Sequence, residues 1–365
     1  MIFCTWMFWL IVVCAVSFNV EVKQHCLAGE QTKTPVQIVT GPWLQAATET
    51  SIVIMWETSE AVPGVVEFGE AERLDNEVAS KPMRVAAAET DKRFKDESAI
   101  LHEVKLSGLS AGRTYSYRVR MGNAVRPTYT LRTNKQRGPF KFLTTSNTHA
   151  FERGTQRKKM EIMAKIPVDF VINQGDQTQQ SMNKEYRKQM QGNAASSATT
   201  VWYTTRGNHE NRTWSRYTSW YHNEFPGHRD ESFYSFDIGD MHFTVLDEAP
   251  TKKTFPIDWF RDDLRRTNKK WKVILAKKPP HLFGKTYLYD LFQECEVDVM
   301  LAADCGTRSG LWPQPYEGLN AKYKGVWYLT NCGGYQVIET DGDTWNVETF
   351  DEEGNRRDKT RIAKD

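Results

Sequence analysis

Five short polar clusters in this 365-residue chain carry side chains with metal-binding or acid–base chemistry, and most of them follow an apolar run. They are Ser146-Asn147-Thr148-His149, Gly175-Asp176, Arg206-Gly207-Asn208-His209-Glu210, the stretch from Lys277 to His281, and Ala303-Asp304-Cys305-Gly306. Carboxylates, amide oxygens and neutral imidazoles are the donors that divalent ions accept. Several of them converging on one spot would serve metal-assisted hydrolysis. Lys277 is of a different kind: a protonated ammonium has three donors and no acceptor, so it repels a cation instead of ligating it.

Something must bring these clusters together, and the intervening sequence has the rhythm to do so. Phe140–Thr145 reads as a strand, Arg157–Lys165 as a helix and Val168–Asn173 as a buried strand, followed by apolar strands at Thr200–Thr204, Met241–Leu246, Lys272–Ala276 and Val297–Leu301. This alternation predicts an α/β domain over residues 139–350. Ligands of such folds gather beyond the carboxyl ends of the strands, where the polar clusters lie. Residues 34–134 have another pattern, with short runs such as Ser51–Trp56, Gly64–Phe68, His102–Leu106 and Thr114–Val119 separated by turn residues. They predict an all-β sandwich. Residues 351–365 are expected to form a C-terminal tail.

Composition narrows the function classes. Lys plus Arg number 48 against 46 Asp plus Glu, a net charge of +2, so no global field draws the chain to nucleic acid or anionic lipid. Residues 1–25 are mostly apolar and include Ala15-Val16-Ser17, which predicts a signal peptide or, if uncleaved, an N-terminal anchor and the only membrane contact. The body of the protein is therefore expected to be exported, whether secreted, periplasmic or extracellular. Outside the leader, Cys26, Cys295, Cys305 and Cys332 allow disulfides in that setting without specifying a pairing. Trp214, Tyr217 and Trp220 read as a helix packed on the core, and His242 as a satisfied histidine within a strand.

The sequence blocks, taken together, resemble the purple acid phosphatase-like metallophosphoesterases of the calcineurin-like superfamily. Gly175-Asp176 and Gly207-Asn208-His209-Glu210 carry the likeness, supported by the opening Gly41-Pro42-Trp43-Leu44-Gln45 and a fibronectin type III-like turn at Leu106–Tyr117. The resemblance implies a fibronectin type III-like domain followed by a four-layer αββα phosphoesterase domain. It also implies phosphoric ester hydrolysis at two metal ions, iron with zinc, manganese or a second iron. Asp176 would bridge the ions, Asn208 would be a ligand, and His209 would act as acid or phosphate-binding group.

Several aligned positions depart from that pattern. Asn147 stands for a carboxylate, Lys277 for a histidine, and Asp304 and Gly306 for two further histidines, while Gln179 replaces the iron-binding tyrosine. The expectation is a relative with lost or strongly reduced hydrolysis, with Lys277 paired to Asp176 and Asp304 where an ion would sit. An active phosphoesterase with a single ion on Asp176, Asn208, His149 and Asp304 is the alternative, so the cofactor expectation is one divalent metal or none. Glu210 and His281 are expected to bind substrate, a phosphorylated small molecule or other phosphoester.

Overall fold

A computed structural model describes residues 35–87, 95–221, 233–247, 255–282, 284–304 and 319–364, without the side chains of 212–216. The expected leader, Cys26, His222, His228, Cys305, Gly306 and the Trp214 side chain lie outside the described residues.

Nine strands come first: β1 (Ile38–Gln45), β2 (Ser51–Thr58), β3 (Val65–Glu70), β4 (Asn76–Ala79), β5 (Lys81–Val85), β6 (Ala99–Ser107), β7 (Thr114–Met121), β8 (Ala124–Val125) and β9 (Tyr129–Arg132). They make a sheet in the order β1-β2-β6-β5 and another in the order β4-β3-β7-β8, with β9 also on β7. All eight residues of β2 are buried. A continuous apolar run is what a strand covered on both faces requires. The corner into β7 is set by Tyr115, whose hydroxyl accepts the Ser110 N–H at 2.9 Å.

Thereafter strands and helices alternate: β10 (Phe140–Thr145), α1 (Gly154–Met163), β11 (Phe170–Gln174), α2 (Asn183–Ser197), β12 (Val201–Thr205), α3 (Trp214–Trp220), β13 (Phe233–Ile238), β14 (Met241–Leu246), α4 (Ile257–Arg266), β15 (Trp271–Ala276), α5 (Leu288–Glu294) and β16 (Val299–Ala302). Five strands complete the order: β17 (Asn320–Tyr323), β18 (Val326–Thr330), β19 (Tyr335–Thr340), β20 (Thr344–Phe350) and β21 (Arg356–Ala363). Two six-stranded sheets result, β12-β11-β10-β19-β20-β21 and β13-β14-β15-β16-β18-β17.

The period of two along each strand explains the layering. On β15, Val273 and Leu275 enter the core shared by the two sheets, while Ile274 and Ala276 join Phe260 and Leu264 of α4 and Leu291 and Phe292 of α5. On β10, Phe142 faces the shared core and Leu143 meets Met160 and Met163 of α1. Helices therefore cover both outer faces. Strands β10, β11 and β12 run parallel in one sheet, and β14, β15, β16 and β18 in the other.

One expectation is corrected here. Residues 351–365 are not simply a tail, because β21 pairs antiparallel with β20 and closes one sheet edge. Asp351 accepts the N–H groups of Glu353 and Asn355, which folds a tight turn, and Ile362 is fully buried beyond it. A short charged segment hides such a strand because only its inward residues need be apolar.

His242 on β14 is satisfied in an informative way. Its Nδ1 lies 2.7 Å from Asp237 of β13 and its Nε2 3.1 Å from Asp263 of α4. Asp263 also accepts from Ser235 and Thr244, and Lys269 lies 3.9 Å from Asp237. Burial lowers the imidazole's pKa, but the two carboxylates outweigh it and raise it to about 9. The pair with α4 is thus a charged one at neutral pH. Its stabilising contribution is full below the unfolded-state value of a histidine and is lost as pH rises through about 9. In His242→Gln, thermal unfolding should lose that alkaline dependence, and an unchanged pH profile would count against the assignment.

Candidate metal centre

The polar clusters meet at the carboxyl ends of parallel strands from both sheets. Asn147 follows β10, Asp176 follows β11, Asn208 and His209 follow β12, Lys277 follows β15 and Asp304 follows β16. Gly175 (φ +90°) makes the turn that presents Asp176. At Gly207 a Cβ atom would come within 2.1 Å of the Asp176 Oδ1, so glycine is needed for the two loops to touch. The Gly-Asp and Gly-Asn-His-Glu motifs are therefore one packed unit.

Lys277, 1% exposed, stands in the middle. Its Nζ donates to Asn147 Oδ1 at 2.7 Å and Asp304 Oδ1 at 2.7 Å, and lies 3.2 Å from Asp176 Oδ2. Three N–H donors thus meet three oxygens contributed by three strand ends. Burial works against the ammonium, yet the charges of Asp176 and Asp304 prevail and hold its pKa above the ordinary lysine value. Asp176 is pushed up by burial but drawn down further by Lys277, the neighbouring imidazoles and the His209 N–H, with a net lowering. Lys277 and Asp176 thus hold each other ionised.

Beside Asp176 the site is imidazole-rich. His149, Asp176 and His209 each offer a ligand atom, and these atoms lie within 4.8 Å of one another. The two rings meet edge to face with centroids 4.7 Å apart. Burial, helped by His209 and Lys277, pushes His149 down to about 4, so it is neutral. Asn208 is exposed.

Two residues expected to bind substrate do something else. Glu210 is 0% exposed and turns inward. Its carboxylate accepts the backbone N–H groups of Asp176 (2.8 Å), Thr178 (2.9 Å) and Gly207 (2.9 Å), besides the Thr178 hydroxyl (3.0 Å). Burial and then the Asp176 charge push its pKa up to about 7. It braces the two motif loops instead of facing a ligand. Glu210→Ala would strand three buried N–H donors besides the Thr178 hydroxyl, and a loss of about 2–4 kcal/mol in chemical unfolding is expected. His281 is also buried, bonded through Nδ1 to Tyr289 of α5 at 2.6 Å. It is held by the hydrophobic layer under α5, and the loop after β15 does not offer it as a replacement ligand.

Lys159 is a positioning residue with no signal in the sequence. It lies on α1, fully buried, and its Nζ donates to Ser146 O at 2.7 Å and Gly333 O at 2.6 Å. Burial lowers its pKa to about 7. It ties the loop carrying Asn147 to the turn after β18. Asn331 adds to this tie by accepting from Ser146 Oγ and the Gly333 N–H.

An all-β sandwich followed by two facing sheets with a polar centre at their parallel strand ends defines a two-domain metallophosphoesterase architecture. The family model of the purple acid phosphatase N-terminal domain matches residues 37–133, and that of the calcineurin-like phosphoesterases matches residues 140–304. The chain belongs to the purple acid phosphatase-like metallophosphoesterases. It is similar to the solved purple acid phosphatase PPD1 from yellow lupin (Lupinus luteus) seeds, with 14% identity over 88% of this chain and 74% of that one, at a TM-score of 0.67. It is also similar to PhoD, with 12% identity over 89% of each chain and a TM-score of 0.62. Identities this low speak for the fold alone. A comparison with curated proteins gives no match.

The family's dinuclear centre does not fit these residues. An ammonium fills the place between Asp176 and Asp304, and its donors take up oxygens that two ions would have to share.

Proposed function

We propose that this chain is an exported phosphoesterase-fold protein in which two-metal hydrolysis of phosphomonoesters is lost or strongly reduced. The observation that carries the reading is Lys277, a buried ammonium saturated by Asn147, Asp304 and Asp176. A metal pair works by drawing the attacking and leaving oxygens onto two adjacent cations. A lysine enclosed by its own ligands offers neither an open coordination position nor a metal-bound nucleophile.

Charge sets the kind of ligand. Asp176 and Asp304 against Lys277 leave one formal negative charge, so the centre alone disfavours a phosphate group and favours a cation. A phosphorylated small molecule would bind chiefly when a cation accompanies it. Export is supported by the apolar leader and by Cys332, which is disulfide-bonded, whereas Cys295 is a buried free thiol.

A single-metal phosphoesterase is the second reading, favoured by the grouping of His149, Asp176 and His209. Metal analysis of the purified chain, with a phosphomonoester assay across pH and with added zinc, manganese or iron, separates the two. The expected result is no more than one ion per chain and turnover at background. Turnover lost in Asp176→Asn would sink the first reading.

A further inference from the structure

We propose that His149, Asp176 and His209 bind one divalent transition-metal ion, with His209 serving as a ligand and not as an acid. The inference rests on the reading that Lys277 fills the neighbouring position.

The tautomers are set for it. His149 Nδ1 lies 3.3 Å from the Thr178 carbonyl and His209 Nδ1 2.9 Å from the Gln179 carbonyl. A carbonyl only accepts, so each Nδ1 carries a proton, and in the neutral ring Nε2 keeps its lone pair. A ring N–H given to a carbonyl is the usual second contact of a metal-bound histidine. The two carbonyls belong to consecutive residues of the loop that begins at Asp176. One short loop therefore orients all three donors.

Asp176 has room for the ion. Its Oδ2 faces the Lys277 ammonium and its Oδ1 accepts the His209 N–H at 3.2 Å, which leaves lone pairs on both oxygens. The carboxylate would bridge an ammonium and an ion, and the single formal negative charge of the centre offsets part of the charge of one added divalent ion but little of that of two. Two nitrogens and one oxygen favour zinc-like ions over magnesium or calcium. Zinc–nitrogen bonds of about 2.0–2.1 Å in tetrahedral geometry require donors about 3.3 Å apart. The 4.8 Å spread must contract by about 1.5 Å at most. His209 is only half buried, which gives the ion a way in.

The test is zinc binding to the metal-stripped full chain by calorimetry, with the visible spectrum of a cobalt(II) form as a second readout. One ion per chain is expected. His149→Gln and His209→Gln should each weaken binding by more than the 10–100-fold typical of losing an outer-shell partner. Asn208→Ala should bind as the unaltered chain does. Melting of each metal-free variant separates a lost ligand from a lost fold. Equal losses in Asn208→Ala and His209→Gln would overturn the proposal in favour of the inherited ligand set. No binding at all would overturn it while leaving the loss of two-metal hydrolysis standing, whereas two ions per chain would overturn both.

Discussion

Replacing Lys277 by methionine is expected to lower the stability of the metal-free chain by about 3–5 kcal/mol and to make that stability depend on divalent cations. Methionine keeps the length and apolar stem of lysine but donates nothing. Asp176, buried, and Asp304, half buried, would then repel each other across a gap lined by the Asn147 amide oxygen. The pH dependence should change as well. With its folded pKa lowered, Asp176 contributes stability above the unfolded value of 3.8, and this is lost as pH falls through the folded value. Without Lys277 that contribution shrinks or reverses, so acid should become less destabilising. Added zinc or manganese should restore the melting temperature, with about 2.7 kcal/mol regained at a concentration a hundred times the dissociation constant. Lys277→His with Asp304→His, which supplies two imidazoles in place of the ion pair, should take up more metal than the unaltered chain. Methionine at 277 with unchanged melting and no metal response would show that the ammonium is incidental.

Much of this was legible in the sequence because it lies in short-range pattern. Ser51–Trp56 and Thr114–Val119 read as strands since turn residues punctuate them and their apolar positions match a covered sheet. Lys277 could be matched to Asp176 and Asp304 because the resemblance to the metallophosphoesterases aligns all three with ligand positions of one centre. What was hidden depends on direction within a loop. Glu210 and Asn208 belong to the same short motif, yet one is fully buried under three N–H donors and the other is exposed. Spacing along a turn does not say which side chain turns inward. Lys159 was hidden for another reason: a lysine on a helix ordinarily faces water, and only the two carbonyls of distant loops explain its burial. The segment after Asp351 was missed because an edge strand needs few apolar residues.

The same kind of long-range partner holds the two domains together, and it leads to the second large expected effect. Arg187 on α2 reaches into the sandwich and grips Glu57 of β2, with Nε 2.8 Å from Oε2 and Nη2 2.6 Å from Oε1, and Nη1 extends to Glu97 at 2.7 Å. The Glu57 side chain is 1% exposed. Burial pushes its pKa up more than the guanidinium lowers it, while the bonds from Glu57 hold the Arg187 guanidinium charged, and a buried pair of this kind acts chiefly to fix position. Removing one partner is another matter. Arg187→Met leaves a carboxylate shut between domains, and a loss of about 3–5 kcal/mol is expected. Other contacts also cross between the domains. Trp43 stacks on Trp220 with centroids 5.8 Å apart, Tyr203 donates to the Ala47 carbonyl and Tyr117 to the Ala198 carbonyl. These contacts should hold the domains together while the junction loosens around the pair. Hydrogen exchange should therefore rise first in β2 and the start of α2, not in β15 or β16. The double change Arg187→Met with Glu57→Gln should recover most of the loss, since no unpaired charge then remains buried. Uniform exchange throughout both domains, or no recovery in the double variant, would mean that the pair does not set the junction.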